Sequence, residues 1–193
     1  MLRPILLTAL LLAQSITALP LQASPATDAA AAIDAKLEAK DIDGALNAAH
    51  DLVTLVWEQS IGLGFSQSLL VAEPAIGFGI YNQRDNNIYK QGEPILIYCE
   101  PYGFGYGTPD PGLFSVNFVV DLQVLDGSGN QLANVPGATE FNLTTRHQNK
   151  EVQANITYSL DGIPVGQYTL VTTLRDKNSA KTGSFQTAIE IAK

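Results

Sequence analysis

The run FSVNFVVDLQVLD, residues 114–126, decides the fold. Phe114, Val116, Phe118, Val120, Leu122 and Val124 recur at every second position. Successive side chains of an extended chain point to opposite faces, so these six line one side of a β-strand. The same alternation continues on both sides of it. Upstream, GEPILIYCE sets Ile95, Ile97 and Cys99 on one face and Leu96 and Tyr98 on the other. Downstream, DGSGN at 126–130 is a hairpin turn signal. EVQANITYSL then alternates Val152, Ala154, Ile156, Tyr158 and Leu160. QYTLVTTLR alternates Tyr168, Leu170, Thr172 and Leu174, and SFQTAIEI alternates Phe185, Thr187, Ile189 and Ile191. SLLVAEP and GFGIY, between 68 and 81, are shorter strand candidates. Short strands with turns between them predict a mainly β protein, an antiparallel β-sandwich.

The N-terminal part reads differently. Met1-Leu2-Arg3-Pro4 followed by ILLTALLLA and a small-residue region, ITALPLQAS, has the form of a secretory signal peptide cleaved after Ala18 or Ala23. Its apolar run is short for a bilayer span, and no later stretch reaches about 18 uninterrupted apolar residues. An exported chain, periplasmic or extracellular, with no transmembrane segment after cleavage is the expectation. Next come AAAAIDAKLEAK, capped by Thr27 or Asp28, a turn at KDIDG, and ALNAAHDLVTLVWEQS, with Leu46, Ala49, Val53 and Val56 or Trp57 at helical spacing. These form a helical hairpin expected to pack on the domain that follows. The predicted organisation is a signal peptide over 1–23, a hairpin over 24–60, a connecting segment with short strands over 61–86 and a sandwich over 87–193.

Loss of the leader removes Arg3 and leaves 10 basic against 19 acidic residues, a net charge of −9. An acidic surface repels phosphate backbones, which disfavours nucleic acid as a partner, and a polybasic membrane patch is absent. Cys99 is the only cysteine. It has no disulfide partner in the chain and is expected in the core, where a free thiol behaves as a small hydrophobe.

IPVGQYTL, residues 163–170, resembles the tyrosine corner of immunoglobulin-like domains, with Tyr168 as the residue whose hydroxyl bonds back to the backbone. The resemblance implies an immunoglobulin-like sandwich. In antibody domains a cysteine lies two residues after that tyrosine. Leu170 stands there in this chain, and Cys99 lies on the segment resembling strand B, so the resemblance implies a Cys99–Leu170 contact in place of a bridge. The stretches GFGIY, YKQGEPILIYCEP and GQYTLVTTLRDKNSAKTGSF also resemble a group of bacterial exported envelope proteins of unknown function. That group brings no catalytic residues and no cofactor to carry over.

Catalytic patterns are weak. His50 and His147 have no second ligand at metal-binding spacing. GFSQS at 64–68 departs from the nucleophile elbow at its last residue. Glu73, Glu93 and Glu100 each precede proline and read as strand ends. The DGSGN loop is shorter than a calcium-binding EF-hand loop. No enzyme activity, metal or cofactor is expected.

CEPYGFGYG, residues 99–107, is the strongest candidate for binding. In an extended chain Tyr102, Phe104 and Tyr106 would form a row, with glycines baring the opposite face. Immunoglobulin topology would set this B–C connection beside the F–G connection RDKNSAKTGS. The rings either close the end of the core or receive the helical hairpin, or they form one wall of a surface that comprises Tyr102, Phe104, Tyr106, Arg175, Asp176, Lys177 and Lys181. Its partner would be another protein of the cell envelope, bound by these loop ends or by the hairpin, or a glycan bound on the tyrosines.

Overall fold

The computed structural model describes residues 23–193, so the expected leader lies outside the described residues apart from Ala23. The described residues fall into two compact units, divided between Leu52 and Val53.

The first unit holds helix α1 (Pro25–Glu38) and the first turns of α2 (Ile42–Glu58). Ser24, not Thr27 or Asp28, caps α1: its hydroxyl accepts the Thr27 N–H at 3.2 Å. Pro25 supplies the first helical residue, where a missing N–H costs nothing and the fixed φ is already helical. The KDIDG turn is tighter than expected. Lys40 takes a φ of 58°, and α2 starts at Ile42 with the Asp41 carboxylate accepting the Gly44 N–H at 3.0 Å.

The second unit carries the end of α2 and eight strands: β1 (Gly64–Leu70), β2 (Ile88–Lys90), β3 (Ile95–Tyr102), β4 (Phe114–Asp126), β5 (Gln131–Thr145), β6 (Ala154–Tyr158), β7 (Gly166–Asp176) and β8 (Thr182–Ala192). They form a three-stranded sheet in the order β1-β3-β6 and a five-stranded sheet in the order β2-β8-β7-β4-β5. All pairings are antiparallel except β2 with β8, which is parallel. The protein is therefore mainly β, with a helical hairpin preceding two sheets. One buried cluster draws on both sheets. Ile95, Ile97, Cys99, Ala154, Ile156 and Tyr158 come from the smaller sheet. Val116, Phe118, Val120, Leu122, Val124, Leu170, Leu174, Ile189 and Ile191 come from the larger. These are the alternating positions of the sequence, buried because each sheet hides one face. Cys99 and Leu170 both lie fully buried in this cluster.

The structure corrects one of these expectations and adds to others. GFGIY is no strand but a turn, with Gly79 at a φ of 68° between the bridged residues Gly77 and Ile80. Tyr98, on the outward face of β3, is also fully buried, because Val71, Ala75 and Tyr81 cover it and its hydroxyl donates to Glu100 Oε1 at 2.5 Å. β2 and β5 are additional strands. β5 pairs with β4 on one edge of its sheet and carries an irregularity opposite Asp121. There Gly137, at a φ of 65°, donates its N–H to Asp121 Oδ1 at 2.7 Å. Tyr168 forms the expected corner: its hydroxyl donates to the Pro164 carbonyl at 2.9 Å.

Candidate functional site

The aromatic segment leaves β3 at Tyr102. Gly103 has a φ of 82°, a region that L side chains rarely adopt, and a Cβ there would stand 3.0 Å from the Gly62 carbonyl oxygen. This left-handed residue breaks the period of two, so the three rings do not share a face. Tyr102 lies across Gly64 and is 48% exposed. Phe104 turns inward and is 1% exposed. It meets Trp57, Tyr106 and Phe118 edge to face, with centroids 4.9, 5.4 and 5.8 Å away. Placing Phe104 on a binding surface is therefore incorrect: it is a core ring. Its backbone carbonyl accepts the Trp57 indole N–H at 2.7 Å. Tyr106 is half-buried, donates to the Asn149 carbonyl at 2.9 Å, and has its phenol pushed up to about 12 by burial.

The β7–β8 turn does adjoin this segment. Asp176 is buried, and its carboxylate accepts the Gly105 N–H at 2.6 Å, the Asn178 N–H at 2.9 Å and the Ser179 hydroxyl at 2.5 Å. Asp176 is thus a latch between the two loops rather than an exposed contact residue. Lys181 donates to the Gly103 carbonyl at 2.7 Å and to the Trp57 carbonyl, near the end of α2, at 3.5 Å. Arg175 and Lys177 do not join this group. Arg175 pairs with Asp121 on β4 at 2.8 and 3.0 Å, and Lys177 with Glu140 on β5 at 3.3 Å. The Arg175 contact holds the Asp121 carboxyl below its ordinary range.

Between the loops lies a cleft of about 300 Å³, lined among others by Trp57, Tyr106, Gln148, Lys150, Asn178 and Lys181. Lys150 donates to the Thr54 hydroxyl at 3.0 Å, and its ammonium stands 5.9 Å from the centre of the Trp57 ring. Trp57 and Lys150 are the residues the sequence reading missed. Trp57 is the chain's one tryptophan, but it stands 47 residues before Phe104 on a helix, and no local spacing links the two.

A second feature lies on α2. Ile42, Leu46, Ala49, Val53 and Val56 follow one another at intervals of four and three residues, which keeps them on one helical face. Ile42, Leu46, Val53 and Val56 are each at least half exposed. Trp57, four residues after Val53 and so on the flank of the same face, packs against the core cluster.

Among the described residues, no three His, Cys, Asp or Glu side chains gather as a metal ion would require. The carboxylates considered for catalysis have other contacts. Glu73 accepts from Asn82, Glu93 pairs with Arg84, and Glu100 accepts from Ser66 and Tyr98. No described helix is long and apolar enough to cross a membrane. Comparison with known protein families gives no match, and comparison with curated proteins gives none either.

Proposed function

We propose that this chain is a non-catalytic, exported envelope protein that binds another protein through the apolar face of α2. The observation that carries the reading is the stripe Ile42, Leu46, Val53 and Val56, exposed along the helix. Contiguous exposed apolar surface marks interaction sites, whereas isolated exposed apolar residues do not. A stripe at these intervals is the surface an amphipathic helix or an apolar groove of a partner would cover.

The β domain is then an immunoglobulin-like sandwich acting as a scaffold. Three observations support this. β3, β4, β6, β7 and β8 fall where strands B, C, E, F and G would lie, with β5 beside β4 as an added C′ strand. The Tyr168 hydroxyl closes back on the backbone four residues upstream. Cys99 and Leu170 share the core where the bridge of an antibody domain would stand. Export rests on the leader-like N-terminus and on the resemblance to envelope proteins.

The test is capture from native envelope with the wild type and with a Leu46→Lys, Val53→Lys double variant. Both positions are exposed, so the folded domain should survive, as circular dichroism would verify. Loss of the captured protein supports the proposal; equal capture by a folded double variant overturns it. A second reading, a glycan held at the loop end, is favoured by the cleft in which Trp57 and Tyr106 stand beside amide and ammonium groups.

A further inference from the structure

We propose that the Trp57–Tyr106 cleft is a site for an acidic sugar, a uronic acid, whose carboxylate is met by Lys150 and Lys181. This rests on the glycan reading of the cleft and adds the charge of its ligand; it is independent of the α2 surface.

The first argument is electrostatic. The chain is strongly acidic, with 19 Asp and Glu against 11 Lys and Arg. Yet two half-buried lysines line one small concavity beside Trp57. Lys181 reaches the Trp57 carbonyl, and Lys150 approaches the indole ring. Among the described residues neither ammonium is ion-paired with a carboxylate, although Arg84, Arg175, Lys36 and Lys177 each are. Glu58 also lines the cleft and opposes an anion, but it pairs with neither lysine. An ammonium has three N–H donors. Lys150 uses one on Thr54, and Lys181 directs two to backbone carbonyls. Both retain donor capacity, and an anion is the group that complements them.

The second argument is the rest of the lining. Gln148 offers an amide, and Trp57 and Tyr106 offer aromatic surface, whereas the Asn178 amide already donates to the Ser115 carbonyl at 2.9 Å. A ligand with an apolar body would leave the Gln148 amide unpaired, at a cost in binding. A hydroxyl-bearing ring satisfies it and still presents C–H edges to the indole. The cleft, at about 300 Å³, suits a small ligand. The net negative charge of the chain disfavours a long polyanion, which leaves a single uronic acid or the acidic end of a short oligosaccharide.

Trp57 is the only tryptophan, so its emission reports on this cleft. The experiment titrates galacturonic and glucuronic acid, with galactose and glucose as neutral counterparts, and follows Trp57 emission and calorimetric heat. At least one uronic acid should bind ten-fold or more tightly than its neutral counterpart. Its affinity should fall as salt rises, because the ammonium–carboxylate attraction is screened. Lys150→Gln should abolish that preference; Lys181 is left intact because it also holds the Gly103 backbone. Equal binding of acid and neutral sugars overturns this proposal and leaves the glycan reading standing. No binding of any of the four overturns both. A uronic acid preference that is insensitive to salt, or that persists in Lys150→Gln, also overturns it. The salt series on the wild type decides the matter even if the variant fails to fold.

Discussion

Removing the Asp176 carboxylate tests how the loop end is built. Asp176 is 6% exposed and accepts three hydrogen bonds, from the Gly105 N–H, the Asn178 N–H and the Ser179 hydroxyl. Asp176→Ala leaves all three donors without that acceptor. The Ser179 hydroxyl is half-buried and can rotate toward water, so it is left out of the reckoning. The two backbone N–H groups cannot rotate. A hydrogen bond to a charged group contributes about 1.5–3 kcal/mol, so the alanine variant should lose about 3–6 kcal/mol. Asp176→Asn separates the contributions. Its one oxygen can keep the bonds to Gly105 and Ser179, while its amide nitrogen meets the Asn178 N–H donor to donor. That variant should lose about 1.5–3 kcal/mol, roughly half as much. Urea denaturation followed by circular dichroism gives both values. Trp57 emission adds a local readout, because the indole N–H is bonded to Phe104 in the loop that Asp176 holds. An alanine variant within about 1 kcal/mol of the wild type, or equal losses in the two variants, would refute the latch.

Tyr168→Phe should lose about 0.5–1.5 kcal/mol, the value of one hydrogen bond, with the fold intact because the ring remains; unchanged urea stability would argue against the corner. Phe104→Ala should cost about 3–5 kcal/mol as a buried ring, while Tyr102→Ala, on the surface, should change stability by about 0.5 kcal/mol or less. Equal losses in those two variants would contradict the inward turn after Gly103. Alkaline titration should unfold the domain between about pH 10 and pH 12. Burial pushes the phenols of Tyr98, Tyr106 and Tyr158 from 10.0 up to about 12 in the folded state. The unfolded chain therefore sheds these protons first, and stability present below pH 10 is lost as the pH rises toward 12. The Cys99 thiol is likewise pushed up to about 12 by burial, so a thiol reagent should label it slowly near neutral pH until denaturant is added.

The strands legible in the sequence are those that hide one whole face. Phe118 and Ile156 are buried, and their apolar neighbours two residues away are buried too, so the period of two appears directly in the residue types. β5 escaped notice because the reverse holds. As an edge strand it is exposed or half-exposed along its length, and Pro136 and Gly137 interrupt it where the pairing with β4 shifts. An exposed edge accepts almost any residue, and one with proline and glycine reads as a loop. The cap at Ser24 was missed for a related reason: several hydroxyl and acidic residues near a helix start are chemically similar, and only the position of Pro25 distinguishes them. At the candidate site, topology alone made the adjacency of the two loops legible. The direction of Phe104 was not, because glycines flank it and a single positive φ at Gly103 reverses which side a ring occupies.

A side chain contributes to recognition to the extent that its own contacts are incomplete. By that measure most of the expected surface is already committed. Asp176 is spent on three donors, Arg175 on Asp121, Lys177 on Glu140, and Phe104 on the core. Replacing a partner's water with such groups would first require breaking those bonds, and the net gain would be small. Two of the surfaces with incomplete contacts differ in kind. The α2 stripe exposes apolar carbon with no polar atoms to satisfy, so its covering is driven by area and tolerates salt. The cleft holds ammonium groups without carboxylate partners, so its filling is driven by charge and weakens with salt. The two surfaces should therefore respond oppositely to ionic strength. Capture through α2 should persist or strengthen at 0.5 M sodium chloride, a condition at which uronic acid binding in the cleft should be largely lost, since the Debye length there is only about 4 Å. A captured protein that washes off at that salt would place its contact at charged groups and remove α2 as the docking face.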